Sequence, residues 1–359
     1  MSAAQATVDL DDTDGLLEAD RDGLLMAAAT AGGQVRAVAT AVGEGALEPL
    51  AAGGQRPRTV VWLAGRGPAE AAGAMLSAAL GGGAGEPMVT AASAMPWIGP
   101  LDVLVVAGDD PGDPTLVSAA ATAVRRGARV VVAAPYEGPL RDATAGRAAV
   151  LEPRLRVPDE FALCRYLAAG LATMAAVDPG ITPDLPALAD ELDAEALRNS
   201  AAREVFTNPA KALADRMSGR QVVLAGDNAA TLALARYGGS VLLRVGGRTA
   251  AAAGVSDAVV ALRRGVGGGF ADSVDALFHD EEIDGPLPGR PRVLALTLAQ
   301  ERQVLSARLS GIDDVDLVGA EDVGEAGSVP AVDGRPEQQL ATLAVRLEMA
   351  AVYLRLAGG

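Results

Sequence analysis

Three aspartates occupy a loop of a kind that commonly holds an anion. Residues 102–124, DVLVVAGDDPGDPTLVSAAATAV, are typical of a buried strand, a glycine-containing loop and the first turns of a helix. That layout presents free N–H groups at a helix N-terminus, which favours phosphate. The loop nevertheless carries Asp109, Asp110 and Asp113. A carboxylate about 4 Å from a phosphate oxygen costs on the order of 1 to 4 kcal/mol at surface-like dielectric. The pattern therefore predicts a cradle that repels phosphate.

Two further interpretations of these aspartates are open. The three carboxylates are close enough in sequence to attract a cation or an amino group. Alternatively, Asp113 is the N-cap of the following helix, where its carboxylate would accept hydrogen bonds from free N–H groups of the first turn. The cap is the ordinary role of an aspartate at this position.

The apolar pattern alternates between short Val-rich runs and longer helical runs, and it restarts midway along the chain. Val-rich strands buried on both faces indicate parallel sheets covered by helices. We therefore predict an α/β fold of two three-layer α/β/α units, each with a mainly parallel sheet. The predicted strands are 59–65, 102–108, 128–135, 220–226, 240–246, 290–298 and a short one within 313–320, with a short element over 148–154. The predicted helices are 24–42, 67–80, 115–126, 159–176, 208–217, 228–239, one from about residue 300 and 338–357.

A Pro- and Gly-rich stretch, residues 177–186, has the composition of a linker. We expect an N-terminal helical segment over 1–34, a first domain over 35–186 and a second domain over 187–359.

Composition argues against several classes of partner. Asp plus Glu total 46 against 30 Lys plus Arg, for a net charge of −16, and no run of basic residues is present. Nucleic acids and anionic membranes are therefore poor partners. The acidic N-terminus lacks the basic start of a secretory signal. Every stretch of about 18 mostly apolar residues contains Gly, Pro or a charged residue, so no membrane-spanning helix is predicted. We expect a cytoplasmic protein.

The single cysteine, Cys164, lies in an apolar run. One cysteine cannot form a disulfide framework or a cysteine-based zinc site within one chain. We expect it to be a small buried hydrophobic residue.

The order of elements resembles a known enzyme family. The segments VVWLAGRGPAEAAG, DVLVVAGDDPGDPTLVSAAATAVRRGARVVVAA, LEPRLRVPDEFALCRYLAAGL, NPAKALADRM and LAVRLEMAAVYLRLAGG, in this order, resemble the bacterial and archaeal bifunctional phosphoglucose/phosphomannose isomerases. The resemblance lies in spacing and apolar pattern and spans the chain from about Asp9 onward. It implies two sugar-isomerase (SIS) domains, a sugar or sugar-phosphate ligand and a homodimer.

The resemblance also implies a ligand site, from which this chain departs. The first family loop is Gly-x-Gly-Gly-Ser; Gly65 and Gly67 match it, whereas Pro and Ala replace its last two residues. The second, Ser-x-Ser-Gly-Asn-Thr, aligns on Gly112, and every phosphate-binding hydroxyl is missing. The family's Pro-Arg pair has a counterpart in Pro153 and Arg154, although Arg154 could equally pair with local acids. The implied ligand-binding residues are Gly65, Arg66, Gly67, Asp109, Asp110, Gly112, Asp113, Thr115 and Arg154.

Aldose–ketose isomerisation needs a base that moves a proton between C1 and C2 and an acid that opens the ring. The resemblance implies a Glu and a His in the second domain, yet residues 228–256 contain no acidic residue. The only histidine, His279, lies about twenty residues late. The weak catalytic candidates are Arg154, His279, Asp257 and Glu282.

Metal and cofactor chemistry have no support in the sequence. His279 adjoins Asp280, Glu281 and Glu282, but consecutive carboxylates cannot all face one ion and no second histidine exists. His279 is more typical of a loop residue whose proton affinity the acids raise. No nucleotide-binding, zincin or hydrolase motif is present. We therefore expect no metal and no cofactor.

Three functions remain open. The first is an isomerase-like SIS protein that has lost its catalytic base and phosphate-binding hydroxyls and is weak or inactive as an enzyme. The second is a non-catalytic sensor of a sugar derivative, or a partner of an enzyme of carbohydrate metabolism. The third is a structural dimer that pairs through the apolar helices within 161–177 and 339–358.

Overall fold

The chain forms two compact units. The structure is a computed structural model that describes residues 8–51, 56–264, 290–322 and 334–358. We call Asp22–Leu197 together with Arg335–Val345 the five-strand unit. The four-strand unit comprises Met1–Arg21, Arg198–Gly334 and Arg346–Gly359. The domain boundaries at residues 34 and 186 stay a prediction, since the compact units change at residues 21 and 197.

The five-strand unit is built on a parallel sheet of order β2-β1-β3-β4-β5. Its strands are β1 Thr59–Ala64, β2 Met88–Ala91, β3 Asp102–Ala107, β4 Arg129–Ala133 and β5 Ala148–Val150. Its helices are α2 Leu24–Ala28, α3 Ala31–Gly43, α4 Glu48–Ala51, α5 Pro68–Leu80, α6 Pro114–Arg125, α7 Gly138–Thr144, α8 Leu163–Val177 and α9 Leu185–Arg198, the last ending at the unit boundary. A 3-10 turn, Asp159–Phe161, precedes α8.

The four-strand unit has a parallel sheet of order β7-β6-β8-β9. Its strands are β6 Val222–Gly226, β7 Ala250–Gly254, β8 Arg292–Leu296 and β9 Val315–Val318. Its helices are α1 Thr13–Ala19, α10 Pro209–Met217, α11 Ala229–Arg244, α12 Val255–Arg263 and α13 Ala299–Leu309. The terminal helix α14, Pro336–Gly358, contributes residues to both units. No helix in the described ranges combines the length and apolarity needed to cross a membrane.

The predicted α/β class with parallel sheets is confirmed, and the packing of the first sheet shows why. Strand β3 is buried along its whole length, so β-branched residues suit both of its faces. On one side of the sheet, Trp62 of β1 packs against two helices at glycine positions, and at the closer one, Gly73, a side chain would not fit. A Cβ at Gly73 of α5 would lie 2.2 Å from Trp62 Cδ1, and a Cβ at Gly170 of α8 would lie 3.1 Å from Trp62 Cζ3. On the other side, α6 and α7 cover residues such as Leu104.

The predicted strand over 240–246 is wrong. Those residues continue and end helix α11, which runs from Ala229 to Arg244. The buried residues Leu234, Tyr237 and Val241 recur three or four positions apart, and that spacing is typical of one face of a helix. The second strand of this unit is instead β7, AAAAG, whose alanines pair in register with β6.

Smaller differences occur at helix ends and sheet edges. The predicted helix over 24–42 is broken between α2 and α3. The predicted helix from residue 159 begins as a 3-10 turn. The sequence analysis did not predict the edge strand β2 or the helices α4, α7, α9 and α12.

Buried polar groups tie the four-strand unit together. Glu348 of α14 is buried and accepts a hydrogen bond from the hydroxyl of Tyr237, at 2.5 Å. Burial raises the pKa of Glu348 to about 8, while the Tyr237 hydrogen bond opposes this rise. Lys211, the only lysine in the sequence, is also buried and donates to the carbonyls of Ala201 and Arg203 at 2.8 and 2.7 Å.

The raised pKa of Glu348 makes stability depend on pH. Between its ordinary value of 4.5 and about 8, the folded protein holds a proton that the unfolded chain releases. The free energy of unfolding should therefore fall as pH rises through this window, by at most about 1.4 kcal/mol per pH unit. Urea denaturation from about pH 5 to about pH 8 should show this fall in the wild type and a flatter profile in Glu348→Gln.

The Tyr237→Phe variant is the matched control. It removes a hydrogen bond that favours the carboxylate, so the fall should extend to higher pH. Identical pH profiles for the wild type and Glu348→Gln would contradict this account.

Candidate functional site

The carboxyl edge of the five-strand sheet contains the point at which the strand order reverses. Strand β2 lies on one side of β1 and strand β3 on the other. In open parallel sheets, ligands bind outside the carboxyl ends of the strands at such a switch point. Two loops flank it: residues 65–67 after β1 and residues 108–113 after β3.

The first loop is a tight strand-to-helix connection. The N–H of Gly65 donates to the carbonyl of Ala107 at 3.2 Å, which holds the loop against the end of β3. Gly67 is the N-cap of α5 with φ of 62°, a conformation that favours glycine, and it provides no capping side chain. Arg66 between them is exposed.

The second loop uses its own carboxylates to hold its own N–H groups. Oδ1 of Asp113 accepts from the N–H of Thr115 at 2.7 Å and begins α6, so the predicted N-cap is confirmed. Oδ1 of Asp110 accepts from the N–H of Gly112, also at 2.7 Å. Two of the donors that an anion would need are therefore already satisfied within the loop.

The Asp113 carboxylate also occupies space at the switch point. A Cβ built on Gly65 would lie 2.9 Å from Oδ2 of Asp113, so this oxygen lies against the end of β1. A phosphate in the same place would meet a carboxylate at close range. The repulsion, about 1 to 4 kcal/mol per pair at 4 Å, adds to the loss of the free N–H groups.

A cavity of about 350 Å³ lies on the β1 and β2 side of this loop. Gly65 and Thr115, both predicted ligand-binding residues, line it together with Thr90. Glu70, in the first turn of α5, is the one carboxylate among the described lining residues. Sequence reasoning missed Glu70, because a carboxylate three residues after an N-cap indicates only the start of a helix.

A larger cavity, of about 600 Å³, lies on the β4 and β5 side. Its walls come from the ends of β3, β4 and β5 and from the starts of α3 and α8. Its described lining residues are Gln34, Asp109, Pro135, Pro153, Leu155, Arg156, Val157, Pro158, Asp159, Ala162 and Arg165. Two guanidinium and two carboxylate side chains thus surround one cavity, with no net charge.

Arg156, rather than Arg154, lines this cavity. Arg154 pairs with Glu44, the C-cap residue of α3: Nη1 lies 3.2 Å from Oε1, and Nη2 donates to Oε2. The pair raises the pKa of Arg154 and lowers that of Glu44. This is the local ion pair that the sequence left open for Arg154. Arg156 itself has no ion pair or hydrogen bond with any residue in the described ranges.

Arg165 is a buried lining residue of the larger cavity, and it contacts the ring of Tyr166. Arg165 is 8% exposed, and its Nη1 donates to the carbonyl of Ala133 at 3.4 Å. Its guanidinium carbon lies 4.1 Å from the Tyr166 ring centroid. Burial raises the pKa of Tyr166, against the opposing charge of Arg165. Among the described residues, the Tyr166 hydroxyl has no hydrogen-bond partner.

Neither of the two catalytic candidates that the structure describes, Arg154 and Asp257, is among the lining residues of these cavities. His279 and Glu282 lie outside the described residues. Asp257 is exposed in the first turn of α12, in the four-strand unit. Arg154 is paired with Glu44, as described above. Within the parts of the chain that the structure describes, no three His, Cys, Asp or Glu side chains are grouped so that they could hold a metal ion.

Comparison with solved structures identifies the fold. Tagatose-6-phosphate ketose/aldose isomerase from Escherichia coli aligns with a TM-score of 0.59 at 15% identity, over 99% of this chain and 96% of that one. The C-terminal domain of glucosamine-fructose-6-phosphate aminotransferase from Francisella tularensis aligns at 0.58 and 9%, over 96% of each chain. The chain has the SIS fold.

A further solved structure has a similar fold, and the sequence comparisons identify no family. Glucosamine-6-phosphate deaminase from Thermotoga maritima aligns at 0.55 and 9% identity, over 94% of this chain and 95% of that one. No protein-family model matches the sequence, and neither does any curated protein sequence. At these identities the likeness concerns the fold, so the ligand must be argued from the side chains of this chain.

The Asp113 cap provides a first test of this site. Asp113→Ala removes the acceptor of the Thr115 N–H and should lower the free energy of unfolding by about 1 kcal/mol. Asp113→Asn keeps an acceptor at the N-cap and should cost a few tenths of a kcal/mol at most. Urea denaturation of the three proteins measures the difference. Equal losses in both variants would show that the charge, and not the cap, is what matters.

Proposed function

We propose that this protein binds a sugar derivative in the larger cavity without isomerising hexose 6-phosphates efficiently. The observation that carries the proposal is the pair of internal hydrogen bonds from Thr115 to Asp113 and from Gly112 to Asp110. They satisfy two of the loop donors that a sugar phosphate would need. A ligand whose recognition depends on hydroxyl groups is compatible with this loop, and one held by its phosphate is not.

The chemistry of the larger cavity supports a polyhydroxylated ligand. Asp109 and Asp159 offer carboxylate oxygens that accept hydrogen bonds, whereas Arg156 and Arg165 offer N–H donors. A sugar presents hydroxyls that both donate and accept, so alternating donors and acceptors suit it. A volume of about 600 Å³ is within the usual range for small-molecule sites.

The resemblance in sequence supports a finer relation, to the bifunctional phosphoglucose/phosphomannose isomerases with two SIS domains. In this proposal the chain is an isomerase-like pseudoenzyme, because its catalytic base and phosphate-binding hydroxyls are lost. It acts in the cytoplasm as a homodimer and serves as a sensor of a carbohydrate derivative.

The structural-partner alternative has less support. It relied on the apolar helices within 161–177 and 339–358 as a dimer surface. Almost all residues of α8 are buried within the single chain, as are residues 340–354 of α14. Those faces are not available to a second copy, so a homodimer must use other surfaces.

Thermal unfolding with sugars, combined with a coupled isomerase assay, tests the proposal. Glucose, mannose and fructose are compared with their 6-phosphates. A ligand at about 100 times its Kd adds roughly 2.7 kcal/mol of stability, which is readily measured as a raised Tm. We expect an unphosphorylated sugar to raise the Tm, its 6-phosphate to add nothing further, and no turnover. Turnover of a 6-phosphate would contradict the proposal.

Two arginines, two residues apart, supply a matched pair of variants. Arg156→Gln should abolish the ligand-induced rise in Tm, because Arg156 lines the cavity. Arg154→Gln should keep it, because Arg154 is paired with Glu44 outside the cavity wall. The reverse pattern would place the ligand at the family's Pro-Arg position and would overturn the cavity assignment.

A further inference from the structure

Arg165 carries a buried charge that no carboxylate of the described residues neutralises. It lies in the first turn of α8, lines the larger cavity and is 8% exposed. Its Nη1 donates a long hydrogen bond, of 3.4 Å, to the carbonyl of Ala133, and it makes no ion pair with any residue in the described ranges. A buried charge is destabilising unless it is paired, so this guanidinium favours an anion in the cavity.

The side chain of Gln34 presents a hydrogen-bond acceptor to the same cavity. Gln34, on α3, lines the cavity and is 3% exposed. Its Nε2 donates to the carbonyl of Phe161 at 2.9 Å and to the hydroxyl of Thr30 at 3.2 Å. These two bonds use both amide hydrogens and fix the orientation of the amide, so Oε1 has no partner among the described residues. A ligand hydroxyl would supply the donor that this oxygen lacks.

The start of α8 adds to the preference for negative charge. Its N-cap residue Ala162 lines the cavity and provides no capping side chain, so the positive end of this 15-residue helix lies at the cavity. Arg156, which is exposed and has no partner in the described ranges, lines the cavity as well. Helix α6, in contrast, is capped by Asp113. The start of α8, rather than that of α6, is therefore the place for an anionic group of a ligand.

The charge of the cavity favours a carboxylate over a phosphate. Asp109 and Asp159 line it together with Arg156 and Arg165, so its described lining residues carry no net charge. A carboxylate adds one negative charge, whereas a phosphate monoester carries close to two at neutral pH. The second charge would face the two aspartates without a further guanidinium to balance it. A planar carboxylate also matches the two parallel N–H groups of a guanidinium.

We propose that the larger cavity binds a sugar acid. Arg165 and Arg156 hold its carboxylate, and one of its hydroxyls donates to Oε1 of Gln34. Asp109 and Asp159 accept hydrogen bonds from further hydroxyls. This inference rests on the proposed function, because it names the class of sugar derivative that the cavity would take.

Isothermal titration calorimetry on the full chain tests this assignment with probes that differ only at C6. Glucose, glucuronate, glucuronamide and glucose 6-phosphate share one ring. We expect glucuronate to bind at least about tenfold more tightly than glucose, because its carboxylate pairs with the guanidiniums. Glucuronamide has a similar shape without the charge and should bind like glucose, and glucose 6-phosphate should bind no more tightly than glucose. Galacturonate and mannuronate are compared with galactose and mannose in the same way.

Matched lysine variants locate the carboxylate. Arg156→Lys and Arg165→Lys keep the positive charge but remove the planar pair of N–H donors. Each should weaken glucuronate binding about tenfold and change glucose binding less than about threefold. Arg154→Lys, the same change two residues from Arg156, should alter neither, because Arg154 pairs with Glu44. Arg156 is exposed, so its variant provides the test even if the fold does not tolerate a change at the buried Arg165.

The results separate this inference from the proposed function. Equal affinities for glucuronate and glucose would overturn the inference and leave the proposed function standing. Binding of neither the sugar acids nor the neutral sugars would overturn both. Glucuronate binding that Arg156→Lys leaves unchanged would place the carboxylate elsewhere and overturn the assignment. Glucose 6-phosphate binding as tight as that of glucuronate would contradict the preference for a single negative charge.

Discussion

The carboxylate of Asp113 is the interaction on which the carboxyl edge of the five-strand sheet depends. One of its oxygens accepts a hydrogen bond from the N–H of Thr115 and so caps the start of α6. The other oxygen lies against Gly65 at the end of β1. The positive end of a helix dipole, which in many α/β proteins holds a bound anion, is here satisfied by the chain itself. The architecture of an anion site is present, but its centre is filled by a fixed negative charge.

Because Asp113 occupies the switch point, the side chains that remain available to bind a ligand are those that line the two flanking cavities. The smaller one offers Glu70 with hydroxyls, and the larger one offers two carboxylates with two guanidiniums. Each lies next to a strand of the buried sheet centre, β1 for the smaller cavity and the ends of β3 and β4 for the larger one. The mixed donors and acceptors that line the larger cavity suit hydroxyl recognition better than phosphate capture.

The sequence predicts this fold well wherever a strand is buried on both faces. The runs that became β1, β3 and β4 are rich in valine because both faces meet helices. The edge strands β2 and β7 were not predicted because sequences of four and five residues, MVTA and AAAAG, carry too short a pattern and become strands only through pairing with β1 and β6. Residues 240–246 were mistaken for a strand because a short apolar run has no clear period of its own; its burial continues the helical spacing of α11.

The site was predictable in part. The N-cap role of Asp113 follows from its position before a helix, and the structure has it. The choice between Arg154 and Arg156 could not be made from sequence, because it depends on Glu44, which lies 110 residues away from Arg154 and reaches it only in the folded unit. Glu70 was overlooked for a similar reason: nothing local shows that a first-turn carboxylate on α5 lines a cavity with Thr115 of another helix.

The central claim is that the loop carboxylates exclude phosphate, and isothermal titration calorimetry of glucose 6-phosphate tests it most directly. The wild type is compared with the double variant Asp110→Ser/Asp113→Ser, in which serine still caps α6 and the two negative charges are gone. The account predicts that the wild type binds glucose 6-phosphate no more tightly than glucose, and that the variant gains at least about tenfold in affinity for the phosphate. Tight, phosphate-dependent binding by the wild type that the double substitution leaves unchanged or weakens would contradict it.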